Sequence, residues 1–351
     1  MTGNKRREPV TIRTTCVFAA LASLPTIGVA QENDDRLQNI AHFFEGADVV
    51  SGPEIVECTL SEGAKADCFS ITLTAAPQGH APGPWCPTTV SDGAEAGGIW
   101  FLDGETVDVD GDFITRLSEI YGDSNWQLFD PDTGKVRYTG TLEDCEAAAR
   151  PDVDPAYQNY CVQCLPETLP ETPAMTYVIP LEPVAAEAAG RTGQNGSGLA
   201  HNGVRLDGPA PVDAILGAYT IAPFDDCGGH VNPHVGYHYH AVTDCLDGVA
   251  QTDGAGDHGA RIGIAMDGHA IRPHLMADGS APADLDQCNG HADETDGYHY
   301  HAGAPGSNAI LGCLTAQAGC TLNDAEGTCD ASAQGRGPGG PGGQGGPEAD
   351  Q

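Results

Sequence analysis

Two copies of one pentapeptide, "GYHYH" at residues 236–240 and again at 297–301, constrain this chain more than any other feature. Strict alternation of two residue types suits a β-strand, where successive side chains point to opposite faces, and suits no helix. His238 and His240 then share one face while Tyr237 and Tyr239 share the other; His299 with His301, and Tyr298 with Tyr300, repeat the pattern. The tyrosine face fits a core. The histidine face carries two imidazoles roughly 7 Å apart at their Cα atoms, because each residue advances about 3.3 Å.

The pentapeptides belong to longer matching segments. "GLAHNGVRL" (198–206) aligns with "GIAMDGHAI" (263–271). Each precedes Asp, any residue, Cys, any residue, Gly, His, five residues and the pentapeptide, with Cys-Leu at 245 or 313 at the end. Residues 196–247 and 261–315 therefore read as two copies of one unit related by a pseudo-two-fold axis. Asn202-Gly203 and Asp267-Gly268 predict hairpins with type I′ turns.

His230 lies eight residues before His238, and His291 eight before His299. A loop of that length, with Gly236 and Gly297 opening the final strands, folds each upstream His back over its pair. The sets His230/His238/His240 and His291/His299/His301 suit zinc or copper, and three histidines leave one coordination position open on zinc. Zinc would acidify a bound water for hydrolysis, and copper would support redox chemistry. The spacing leaves open whether there are two mononuclear sites or one paired site. Asp225 and Asp286, two residues before each repeat Cys, either orient a histidine as outer carboxylates or cap turns. His234, His258, His269 and His274 occur in one copy only and read as surface residues. The alternative function is a non-catalytic extracellular structural or ligand-binding β module whose histidines serve packing or sit at the surface. No Ser or Cys nucleophile constellation is evident, so the catalytic residues are unknown.

The first 30 residues, with a basic head and an apolar run from Cys16 to Ala30, read as a secretory signal peptide cut after Ala30. The product is expected in the periplasm or outside the cell, by the general or the twin-arginine route, with no membrane span. The whole-chain charge of −35 becomes about −38 without that segment. Such acidity disfavours nucleic acid and anionic membranes as partners and favours cations. Twelve Cys remain, and an even count in an exported chain reads as disulfides. Cys227 is expected to pair with Cys245 and Cys288 with Cys313, with a Cys–His metal site as the rival reading.

Residues 31–190 read as a Cys-rich mixed β region. It has hairpins around Asp103-Gly104 and Asp130 to Gly134, and a helix in "DFITRLSEIYG" capped by Asp112 and ended by Gly122. "TLEDCEAAAR" reads as a second helix, "AMTYVIPLEPV" as a strand and "AAGRTGQNGSG" as a linker. "DVDGD" (108–112) is a weak calcium candidate, since Phe113 stands where an EF-hand loop needs Gly. Cys161 and Cys164 read as structural half-cystines. Residues 191–330 hold the duplicated unit, and the Gly/Pro-rich tail 331–351 has too little apolar surface to fold.

The paired "GYHYH", the preceding "CGGH" and "CNGH", and "AMDGHAI" between them resemble the YHYH-domain family of exported bacterial proteins over about 196–315. "DCFSITLT" and "GPWCP", within 67–87, are similar to the N-terminal part of longer members. The chain departs from the usual Phe-Pro-Ile-Tyr-like run after Asp-Gly by having "HAIRPH". The resemblance implies the repeated unit without naming its chemistry. The fold expected is mainly β with a few short helices, disulfide-stapled, with a tandem-duplicated YHYH unit in the C-terminal half.

Overall fold

A computed structural model describes residues 1, 3, 27–150, 152–192, 195–247, 257–294, 297–323 and 327–334. Most of the expected signal peptide and the tail beyond 334 lie outside the described residues. The fold is β-rich with short helices and six disulfides. In chain order, helix α1 (Ile27–Phe43) leads into strands β1 (Val49–Thr59) and β2 (Lys65–Thr74), then β3 (Ile99–Leu102) and β4 (Glu105–Asp108). Helices α2 (Gly111–Ile120) and α3 (Leu142–Ala148) precede β5 (Ala174–Pro180) and β6 (Ala185–Gly190). Then come β7 (Gly198–Ala200), β8 (Arg205–Leu206), α4 (Val212–Gly217), β9 (Gly229–Asn232) and β10 (Gly236–Tyr239). Strands β11 (Gly263–Ala265), β12 (Ala270–Arg272), β13 (Gly290–Asp293), β14 (Gly297–His301), β15 (Leu314–Ala316) and β16 (Cys320–Leu322) complete the order.

Eight strands form the main sheet in the order β13-β14-β12-β11-β7-β8-β10-β9. Read outward from the central antiparallel β7–β11 pair, both arms run hairpin, parallel partner, antiparallel edge. The parallel pairings match residue for residue: Leu206 faces Tyr239 in one arm, and Ile271 faces Tyr300 in the other. A four-stranded sheet, β1-β2-β5-β16, packs against this sheet through one apolar cluster that includes Ile71, Tyr177, Leu206, Tyr239, Ile271 and Tyr300. Strand β16, from the end of the chain, thus pairs with β5 from the first half, and β15 pairs with β6. The segment expected as a linker is partly strand, because Ala188 to Gly190 belong to β6.

Local chemistry explains several departures from the sequence reading. Asp103 and Gly104 both have positive φ, at 53° and 86°, as a type I′ turn requires. At the other two hairpins only Gly203 and Gly268 do, at 83° and 89°, while Asn202 and Asp267 do not. These are therefore type I turns closed by a glycine bulge rather than type I′. Helix α2 is capped by Asp110 accepting from the Phe113 amide at 2.8 Å, not by Asp112. The "DVDGD" segment is thereby divided between β4, where Asp108 pairs with Ile99, and a helix cap, which removes the loop a calcium ion would need. Helix α3 has Thr141 as N-cap in a reciprocal capping box with Asp144. Residues 331–334, expected in the unfolded tail, form a short helix.

The disulfides join Cys58 to Cys68, Cys86 to Cys161, Cys145 to Cys164, Cys227 to Cys245, Cys288 to Cys313 and Cys320 to Cys329. Among the described residues no helix is long and apolar enough to cross a membrane.

Candidate metal centres

Each arm ends in an antiparallel hairpin whose register sets two histidines side by side: His230 opposite His238, and His291 opposite His299. The upstream histidines are thus on strands β9 and β13 rather than in loops. Gly236 and Gly297, with φ of 71° and 64°, make the turns that allow this pairing. In the first hairpin Asn232 Oδ1 accepts from the amides of His234 and Val235, both at 2.9 Å, which pins the turn.

Glycines 229 and 290 have a separate cause. The ring of Tyr237 crosses Gly229, so that a Cβ there would lie 2.3 Å from the tyrosine oxygen. Tyr298 covers Gly290 in the same way, at 2.1 Å. The Gly-His dipeptide in each repeat is therefore the floor on which a tyrosine lies.

In the first set, ring centroids of His230, His238 and His240 are 4.7 to 4.9 Å apart, and His230 Nε2 lies 3.1 Å from His238 Nε2. The Nδ1–H of His238 donates to the Gly236 carbonyl at 2.9 Å, and that of His240 to the Gly208 carbonyl at 2.7 Å. These bonds leave both Nε2 atoms as inward lone pairs. A second-ring N–H held by a backbone carbonyl is the usual support of a metal-bound imidazole.

The second set gains a residue the sequence reading put at the surface. His258 joins His291, His299 and His301, and one ring nitrogen from each lies within 4.8 Å of the others. The Nδ1–H of His291 donates to Ala283 O at 3.0 Å, of His299 to Gly297 O at 3.1 Å, and of His301 to Pro273 O at 2.7 Å. His258 donates through Nε2 to Asp293 at 2.8 Å and turns Nδ1 inward, 3.2 Å from His301 Nε2. His291 Nε2 and His299 Nε2 are 3.1 Å apart. All four of these nitrogens then carry lone pairs and lie within 4.8 Å of one another. Neutral imidazoles so placed repel unless a cation sits among them. At the zinc–nitrogen distance of about 2.0 to 2.1 Å, the edges of a tetrahedral site are about 3.3 Å, close to the separations observed.

Burial opposes the other solution, a shared proton. It pushes His238 down to about 3, with the neighbouring His240 adding to the shift, and His301 down to about 4. His230, His240 and His299 are shifted downwards too, each chiefly by burial. His230, His238, His240, His299 and His301 are thus biased towards the neutral form that ligates a metal.

Of the two readings open for Asp225 and Asp286, orienting a histidine or capping a turn, their bonds match the second. Asp225 accepts from the amides of Cys227 and Gly229 and from the Tyr237 hydroxyl at 2.9 Å; Asp286 accepts from Cys288, Gly290 and Tyr298, the last at 2.8 Å. They cap the entry turn and hold the tyrosine face, because a half-buried or buried phenol needs an acceptor. Asp267 plays the same part for Tyr300, accepting its hydroxyl at 2.7 Å. His269 bonds through its ring to the Tyr298 carbonyl at 3.1 Å and stands outside both clusters.

The two clusters lie towards opposite edges of the sheet, with β12, β11, β7 and β8 between β14 and β10. At about 4.8 Å per strand, five steps separate them by roughly 24 Å along the sheet. They are separate groups, not one paired site. No curated protein and no solved structure matches the chain. Residues 176–284, spanning β5 to the segment just before β13 and including the first histidine set, match the family described as YHYH protein. Over that region the chain is similar to the YHYH-domain family.

Proposed function

We propose that this chain is an exported protein that binds a transition metal, zinc or copper, through one histidine set in each arm of the main sheet. The observation that carries the reading is the convergence of four lone-pair nitrogens from His258, His291, His299 and His301, with the opposite side of each ring already committed to a carbonyl or carboxylate. His238 and His240 supply the same arrangement in the first arm, with His230 beside them. The matched strand order and matched ligand positions support treating the arms as copies of one unit. Six disulfides support export, since such bonds persist in oxidising compartments.

The test is elemental analysis of the full chain, exported into an oxidising compartment, reconstituted with zinc or copper, and dialysed exhaustively after brief chelation. The parent should keep two equivalents, and a His238→Ala/His299→Ala/His301→Ala triple variant none. Chelation and dialysis are needed because 50 acidic residues bind cations weakly at many places. A parent that keeps neither metal would overturn the reading.

A further inference from the structure

The two histidine sets differ in ligand number and in what lies beyond them. We infer that the His230/His238/His240 centre is open, taking an uncharged, largely apolar small molecule with one metal-binding donor atom, whereas the His258 centre is closed by its fourth histidine. This rests on the metal reading above. Three protein nitrogens leave a tetrahedral ion one position for an exogenous donor, and four leave none.

The surroundings agree with that count. His230, His238 and His240 line a cavity of about 630 Å³, within the roughly 300–1,000 Å³ range of small-molecule sites. Its walls include Trp85, Val162, Ile215 and Val235. The N-terminal half supplies Trp85 and Val162, next to half-cystines Cys86 and Cys161, which are bonded to each other. The cavity is therefore bounded by cross-linked chain. Its buried charges cancel: Arg205 donates to Asp207 at 2.9 Å, with side chains 6% and 18% exposed. Apart from the ion, whose charge the guest's donor atom meets, the surroundings carry no net charge, so an apolar, uncharged body is favoured.

The same place in the other arm is filled. His258 stands five residues before Gly263, and the residue five before Gly198 is Gly193, which has no side-chain donor. His258 is held by Asp293 and faces His301, so it adds a fourth donor that the first group lacks among the described residues.

The test loads the full chain with Co(II) and follows its visible absorption while imidazole or 4-phenylimidazole is added. His299→Ala/His301→Ala retains the first centre and His238→Ala the second. In His299→Ala/His301→Ala both azoles should change the spectrum, and the phenyl compound should bind at least about tenfold more tightly because its ring is buried. Ile215→Trp added to that background should leave Co(II) uptake intact and abolish the phenyl preference. In His238→Ala neither azole should act until His258→Ala is added, which opens the second centre to imidazole. Co(II) bound at both centres with equal azole response, with no response at the first, or with no phenyl preference there would overturn the inference and leave metal binding standing. Failure of the parent and both variants to take up Co(II) would overturn the metal reading on which it depends.

Discussion

Gly229→Ala tests the link between the tyrosine face and the histidine face. A Cβ at 229 would lie 2.3 Å from both Cζ and Oη of Tyr237 and 2.8 Å from Cε1. The ring must swing away, taking its hydroxyl off the Asp225 carboxylate, which is only 1% exposed. Overpacking costs about 1–3 kcal/mol, and loss of a hydrogen bond to a buried charged acceptor about 1.5–3 kcal/mol, so the variant should lose roughly 3–5 kcal/mol. Gly217→Ala is the control: nothing lies within 4 Å of its Cβ position at the end of α4. It should be neutral or up to about 1 kcal/mol more stable. Gly290→Ala should fall between them, because Tyr298 is displaced but its acceptor Asp286 is exposed to water. Equilibrium urea unfolding with the disulfides intact gives the three values. A Gly229→Ala variant within about 0.5 kcal/mol of the parent would refute the steric argument, since experimental scatter is of that order.

Tyr300→Phe should destabilise by about 1.5–3 kcal/mol, because Asp267 is fully buried and loses its phenol, while Tyr298→Phe should cost under about 1 kcal/mol; thermal or urea unfolding separates them. Asp92 accepts from the amides and hydroxyls of Thr88 and Thr89, which hold its carboxyl down at about 2, below the ordinary 3.8. Its unfolded form takes up a proton first as pH falls, so its contribution is complete above 3.8 and disappears as pH falls through about 2. Urea unfolding of the parent and Asp92→Asn should show a stability gap at neutral pH that closes across that window. Metal-free protein should lose stability between the ordinary histidine value of 6.5 and about 3, since His238 stays neutral when folded and becomes charged when unfolded. Circular dichroism melts of chelated protein from pH 7 to pH 4 should show falling melting temperatures, and a flat profile would contradict the burial of the histidine faces.

The alternation of Tyr and His made β10 and β14 legible, because a period of two admits no other regular backbone. It also brought out His230 and His291, whose spacing of eight is the length of a short hairpin. His258 was not legible, since the matching position of the other copy is Gly193, so no repeated histidine marks it, and it reaches the cluster through tertiary packing. The carbonyls of Gly208 and Pro273 were hidden for a different reason: any residue carries one, so sequence cannot mark which are used. The sequence left the aspartates open between orienting a histidine and capping a turn, because their spacing suits both. Only the placement of Tyr237 and Tyr298 over the glycines shows that the phenols claim them.

The pairing of β16 with β5 bears on the order in which the molecule can be made. Strands β1, β2 and β5 are synthesised before Cys320 to Leu322, so the β5 edge of that sheet, on a strand that carries the buried Tyr177 and Ile179, stays unpaired until β16 is made. A chain truncated before residue 320 would display this apolar strand edge to other copies, and self-association is its natural outlet. Synthesis through β16 thus closes the edge that β5 would otherwise offer to other copies.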